Sequence, residues 1–160
     1  VTHDAAARRG TYALALRCHR PRDVQVGQMG IVTIEPGFFI YVGSAFGPGG
    51  LKARVGRHFR TEKRLRWHID YVRAVTEPCH AWCSNDSDRL EHHWAGAIAR
   101  LAGVSTIQGI GSSDCSCEGH LFACQVLPSS STMRRALGSP LYRMRPELAR
   151  GLKNATLLRT

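Results

Sequence analysis

Two tyrosines, an arginine, a histidine and a glutamate stand out by type and spacing. Gly10-Thr11-Tyr12 opens one apolar run, and Tyr41-Val42-Gly43 closes another. A basic segment follows in which Arg54 and His58 are four residues apart, and so share a face if it is helical. Glu91 stands near the start of a later helical stretch. These residue types suit phosphodiester hydrolysis, which needs an activated water and stabilisation of a charged transition state. A lone carboxylate suits one Mg²⁺ or Mn²⁺ ion: Mg²⁺ keeps several waters and takes only one or two protein carboxylates. An arginine can hold a non-bridging phosphate oxygen bidentately. A tyrosine hydroxyl titrates near ~10, so it serves as a base only with cations beside it. Arg54, Arg57 and a metal ion would provide them.

Each residue also has a plainer reading. Tyr12 and Tyr41 are strand tyrosines of the half-buried kind. Arg54 is a solvated helix residue, and His58 caps a helix C-terminus or lies on the surface. Glu91 sits three residues after Asp88, the spacing of a capping box. A carboxylate used in that way is poorly free to bind a metal.

The cysteines suggest a second kind of chemistry. Cys115-Ser116-Cys117 and then His120 form a Cys-x-Cys-x₂-His cluster, and Cys79 and Cys83 lie earlier in the chain. Zinc takes four tetrahedral ligands from Cys and His. The cluster would supply three, with Cys79, or alternatively Cys83, as the fourth. The other readings are small buried thiols at strand ends, or a loop whose Ser112, Ser113, Asp114 and His120 face the first site and touch DNA or metal. Six cysteines without an apolar leader segment favour reduced thiols in a cytoplasmic setting.

Elements must position these groups. Strand signals fall at 10–18 and, most strongly, at 38–43, with an interrupted hairpin arm at 24–34. A Gly/Pro loop at 44–50 opens onto a helix at 51–60, whose Leu51, Val55 and Phe59 share one face. A second helix is expected at 67–75, a strand at 78–83, a helix at 88–101 and a last strand at 119–127. The expected division is a flexible arm over 1–9, a domain over 10–127 and a basic tail over 128–160. No run of eighteen apolar residues exists, so no membrane span is expected.

Charge is unevenly spread. The 160 residues carry a net charge of +10, which points to a polyanionic partner. Residues 52–66 carry +6, from Lys52, Arg54, Arg57, Arg60, Lys63, Arg64 and Arg66 against Glu62. Residues 131–160 carry another +6, whereas 67–130 carry −4. The first run reads as a phosphate-tracking ridge. The tail reads as a second DNA contact or a docking segment for a protein partner, or simply as a solubilising surface.

The ordered set Gly10-Thr11-Tyr12, Tyr41-Val42-Gly43, basic helix and later glutamate resembles the GIY-YIG nuclease family. The stretches YVGSAFGPGGLKARVGRHFR, LRWHIDYV and GSSDCSCEGHLF are similar to a subgroup of its bacterial and archaeal domains, over about residues 10–126. The resemblance implies an α/β domain with a small mixed, mostly antiparallel sheet flanked by helices. It implies a divalent-metal-dependent endonuclease acting on DNA, in repair or processing. Glu91 would be its metal ligand and Arg54 its helix arginine, with Arg57 the alternative because the 44–50 loop is long. Tyr12 or Tyr41 would be the base, assisted by His58. Lys52, Arg57, Arg60, Lys63, Arg64, Arg66 and His68 would contact DNA. Two other readings are open: a catalytically silent nucleic-acid-binding module of the same fold, and a zinc-stabilised interaction domain.

Overall fold

The structure is a computed structural model that describes residues 3–146. Its centre is β1 (Gly10–Cys18), paired on one side with β4 (Gly37–Ala45) and on the other with β5 (Glu77–Ser84). The six-stranded sheet runs β6-β7-β4-β1-β5-β8, with β6 at Val104–Ile107, β7 at Leu121–Cys124 and β8 at Tyr142–Met144. Every pairing in it is antiparallel. The chain is therefore a mixed α and β fold, as expected.

The apolar run of β1 is explained by burial on both faces. Tyr12, Leu14, Leu16 and Cys18 point to one core, and Ala13 and Ala15 to another, which follows from the two-residue period of a strand. The first core is covered by α2 (Gly50–Phe59) through Leu51, Val55 and Phe59, and by α3 (His68–Arg73) through Ile69 and Val72. The second is covered by α4 (Glu91–Ala99) and α5 (Ser130–Leu137). A separate hairpin, β2 (Arg22–Gln25) with β3 (Ile31–Ile34), supplies Val24 and Ile34 to the first core. Gly27 and Gly30 take positive φ in its connection, so the expected arm is two short strands around a turn.

Several boundaries differ from expectation. From residue 3 on, the expected arm is helical and in contact with the domain: α1 (His3–Ala7) lies against α2, and the Arg8 carbonyl accepts from the Leu51 N–H at 2.9 Å. The segment after 127 belongs to the fold as far as residue 144. Met133 and Leu137 of α5 are buried, and β8 pairs with β5 at the sheet edge. The stretch 147–160 of the expected basic tail lies outside the described residues. Strand β6 was not expected. Helix α4 begins at Glu91, later than the sequence suggested, because the Asp86 carboxylate accepts from the Asp88 N–H at 3.0 Å and holds 86–88 in a turn. Glu91 is thus the first helical residue rather than the third, and its carboxylate is not part of a cap with Asp88.

Candidate active site and metal cluster

The sheet and two loops enclose a cleft of about 340 Å³. Tyr12 from β1, Tyr41 and Gly43 from β4, Arg54 from α2 and Glu91 from α4 all line it. So do Ser44, Arg66, Trp67, His68, Gly111, Ser113 and Asp114. Four of the five residues picked for chemistry therefore meet in one place. The two glycines of the paired tripeptides have physical causes. A Cβ on Gly43 would overlap the Tyr12 hydroxyl, and one on Gly10 would overlap the Ser84 carbonyl. Glycine at 43 thus lets the Tyr12 ring cross the neighbouring strand.

The fifth residue, His58, stands behind the cleft rather than lining it. It is fully buried, and its Nε2 lies 2.7 Å from the Tyr12 hydroxyl. Burial, reinforced by the Lys63 and Arg57 cations, lowers its pKa to about 3, against the opposing pull of Asp70. His58 is therefore neutral near pH 7. Burial raises Tyr12 well above its ordinary pKa, with Tyr41 adding to the effect and Arg54 opposing it. Tyr41 is raised by burial and then by Glu91, again against Arg54. Arg54 does act on both hydroxyls as expected, but burial outweighs it, and both tyrosines are protonated near neutrality.

Arg54 and Arg57 have different surroundings. Arg54 lines the cleft with its guanidinium 4.5 Å from the Trp67 ring centre. Arg57 lies against the same ring at 4.3 Å and is committed to Asp70 by two hydrogen bonds of 2.6 and 2.8 Å. Asp70 is fully buried and also accepts from the Arg66 and Trp67 backbone N–H groups. Burial raises its pKa, but these donors and Lys63 outweigh burial and hold the carboxyl far below its usual range. Lys63 completes the group at 3.4 Å, and burial draws its own pKa down to about 8. Arg57 and Lys63 therefore do not belong to an outward phosphate ridge. A buried carboxylate has to be compensated, and it turns both inward. Of the other expected DNA contacts, Arg66 and His68 line the cleft, while Lys52, Arg60 and Arg64 are exposed outside its lining.

Glu91 is held from two sides. His120 Nδ1 lies 2.9 Å from its carboxylate, and the Ser44 hydroxyl donates to it. Burial pushes the Glu91 carboxyl up, but these two partners, with the charges of His120 and His92, bring it below its ordinary value. It is therefore ionised, and its side chain keeps 24% of its exposure.

Behind Glu91 lies a second donor set. His92, Cys115, Cys117 and His120 bring four ligand atoms within 4.8 Å of one another. This group can hold a metal ion. The fourth member is His92 of α4, not Cys79 or Cys83. Both of those cysteines are on β5; Cys79 packs on the second core, and Cys83 is fully buried in the first. The loop between β6 and β7 supplies three members, with its ends closed by Gly109 N–H to Glu118 O and His120 N–H to Ile110 O, each at 2.8 Å. Ser113 and Asp114 of this loop face the cleft, so the loop serves both places.

Residues 11–139 match a family model described as a domain of unknown function, DUF123. The chain belongs to the DUF123 family. No curated protein and no solved structure matches it. The part of this DUF123 chain that the family model covers includes every cleft residue and all four members of the metal cluster.

Proposed function

We propose that the DUF123 chain is a GIY-YIG-like endonuclease that hydrolyses DNA phosphodiester bonds in the cleft. The observation that carries this reading is the convergence of Tyr12, Tyr41, Arg54 and an ionised Glu91 on one polar cleft edged by Arg66 and His68. Glu91 fits a single Mg²⁺ or Mn²⁺ ion, because its carboxylate is oriented by Ser44 and His120 yet still partly open to the cleft. Bound there, such an ion would supply positive charge to the phosphate and its leaving oxygen. Arg54 holds a non-bridging phosphate oxygen, with Trp67 fixing the direction of its guanidinium. Tyr12 is the better base of the two tyrosines, because it alone has the neutral His58 at hydrogen-bond distance. His58 orients the Tyr12 hydroxyl from behind the cleft; with a pKa of about 3 it is not the group that ends up with the proton. The soft donors of the His/Cys cluster suit Zn²⁺ in a structural role.

The test is incubation of the full chain with Mg²⁺ or Mn²⁺ and supercoiled, branched, flapped and lesion-bearing DNA. Cleavage of at least one substrate is expected. A folded chain that binds DNA but cuts none would favour the silent binding module of the same fold.

A further inference from the structure

We infer that a Zn²⁺ ion held by His92, Cys115, Cys117 and His120 positions the cleft carboxylate, through a zinc–imidazole–carboxylate chain running from the ion across His120 to Glu91. The inference rests on the nuclease reading only for the use to which Glu91 is put. The ligand geometry stands without it.

Two edges of the donor set are short. His92 Nδ1 lies 3.3 Å from Cys117 Sγ, and His120 Nε2 lies 3.5 Å from Cys115 Sγ. A tetrahedral zinc with ordinary bond lengths separates a nitrogen ligand from a sulfur ligand by about 3.6 Å. These two edges are at nearly the spacing that the ion would impose, and all four ligand atoms lie within 4.8 Å of one another. Two thiolates and two imidazoles make a closed site with no position left for water, which is the structural rather than the catalytic type.

The orientation of His120 makes the link. Its side chain is only 1% exposed, its Nε2 faces the cluster, and its Nδ1 lies 2.9 Å from the Glu91 carboxylate but is not aligned for a hydrogen bond. A histidine that ligates zinc through one nitrogen commonly gives its other N–H to a carboxylate, which settles the tautomer and orients both groups. Without a metal, Nε2 has the Cys115 thiol at 3.5 Å, a weak donor that fixes the tautomer less firmly than an ion would. With zinc on Nε2, the proton has to sit on Nδ1, 2.9 Å from Glu91, and a small turn of the ring would aim it at the carboxylate. A second route is covalent: His92 follows Glu91 directly in the first turn of α4, so the ion would also fix the backbone that carries the carboxylate. Ion and carboxylate thus meet through both a side chain and the main chain. His120 is on this account a positioning residue for Glu91.

The experiment uses the full chain, freed of metal by dialysis against a chelator and titrated with Co²⁺ or Zn²⁺ against a competing chelator. The wild type is expected to bind one equivalent, with the strong visible absorption and thiolate charge-transfer bands of tetrahedral Co²⁺. Glu91→Gln leaves all four ligands in place. It is expected to keep the one equivalent and the tetrahedral spectrum but to bind about 10- to 100-fold more weakly, with Glu91→Asp falling between. A folded wild-type chain that binds neither metal overturns the site. Unchanged affinity in Glu91→Gln overturns the link to Glu91. Cleavage is read in a separate assay: if the titrations behave as expected and DNA is not cut, the nuclease reading alone fails.

Discussion

At the residue scale, function turns on which of several like residues faces the cleft. Arg54 and Arg57 are the same type, three residues apart, and the sequence cannot rank them. A carboxylate thirteen residues later does so, because Asp70 binds Arg57. Arg54→Lys should therefore lower the cleavage rate about 100-fold or more with little change in melting temperature. Arg57→Lys should do the reverse, and thermal melts beside rate measurements check the pair. His58 gives a prediction in pH. Its folded pKa is depressed from 6.5 to about 3, so the unfolded chain binds the extra proton throughout that window. The contribution is complete above pH 6.5 and is lost as pH falls, by up to about 1.4 kcal/mol per pH unit. Urea unfolding between pH 6.5 and 4 should show a steeper loss in wild type than in His58→Phe. Equal slopes would contradict the buried neutral histidine. His92 was missed in the sequence because its partners lie more than twenty residues away and its helix begins later than the Asp88 pattern suggests.

At the element scale, the loop between α2 and α3 carries Arg66 and Trp67 to the cleft, the start of α3 adds His68, and Asp70 anchors them. This anchor gathers the Arg57 and Lys63 side chains and the Arg66 and Trp67 amides onto one carboxylate. Asp70→Asn leaves two cations short of their partner and should cost about 3–5 kcal/mol, measured as a shift in the urea midpoint. It should also weaken cleavage by loosening Arg66 and His68. A variant as stable as wild type would show that the loop has another anchor. Strands β1 and β4 were legible because apolar runs buried on two faces are hard to mistake. Strand β6 was not. Its four residues, Val104–Ile107, form a sheet edge with a Ser-Thr centre, too short and too polar for a clear pattern. Strand β8 was hidden for a similar reason, since Tyr142–Met144 has an arginine at its middle.

At the scale of the whole molecule, the charge of +10 reads differently once the side chains are placed. Part of the 52–66 run serves Asp70, and the cations left beside the cleft are Arg54 and Arg66. The sequence division at residue 127 also separates what the fold joins. Composition shifts there, but α5 covers the second core through Met133 and Leu137, and its Ser130 accepts from the Trp82 indole N–H at 3.1 Å. A chain ended at residue 127 should lose cooperative unfolding and expose the surfaces of β5 and α4 around Trp82 and Trp94. Circular dichroism melts would show this, and a sharp transition near the wild-type temperature would contradict it. The measurement that most directly tests the central claim is conversion of DNA substrates by the full chain with Mg²⁺ or Mn²⁺, beside Glu91→Gln shown by circular dichroism to be folded. Cleavage by wild type and a loss of about 100-fold or more in the variant is the predicted result. Equal cleavage by both, or none by the wild type on any substrate, would contradict it.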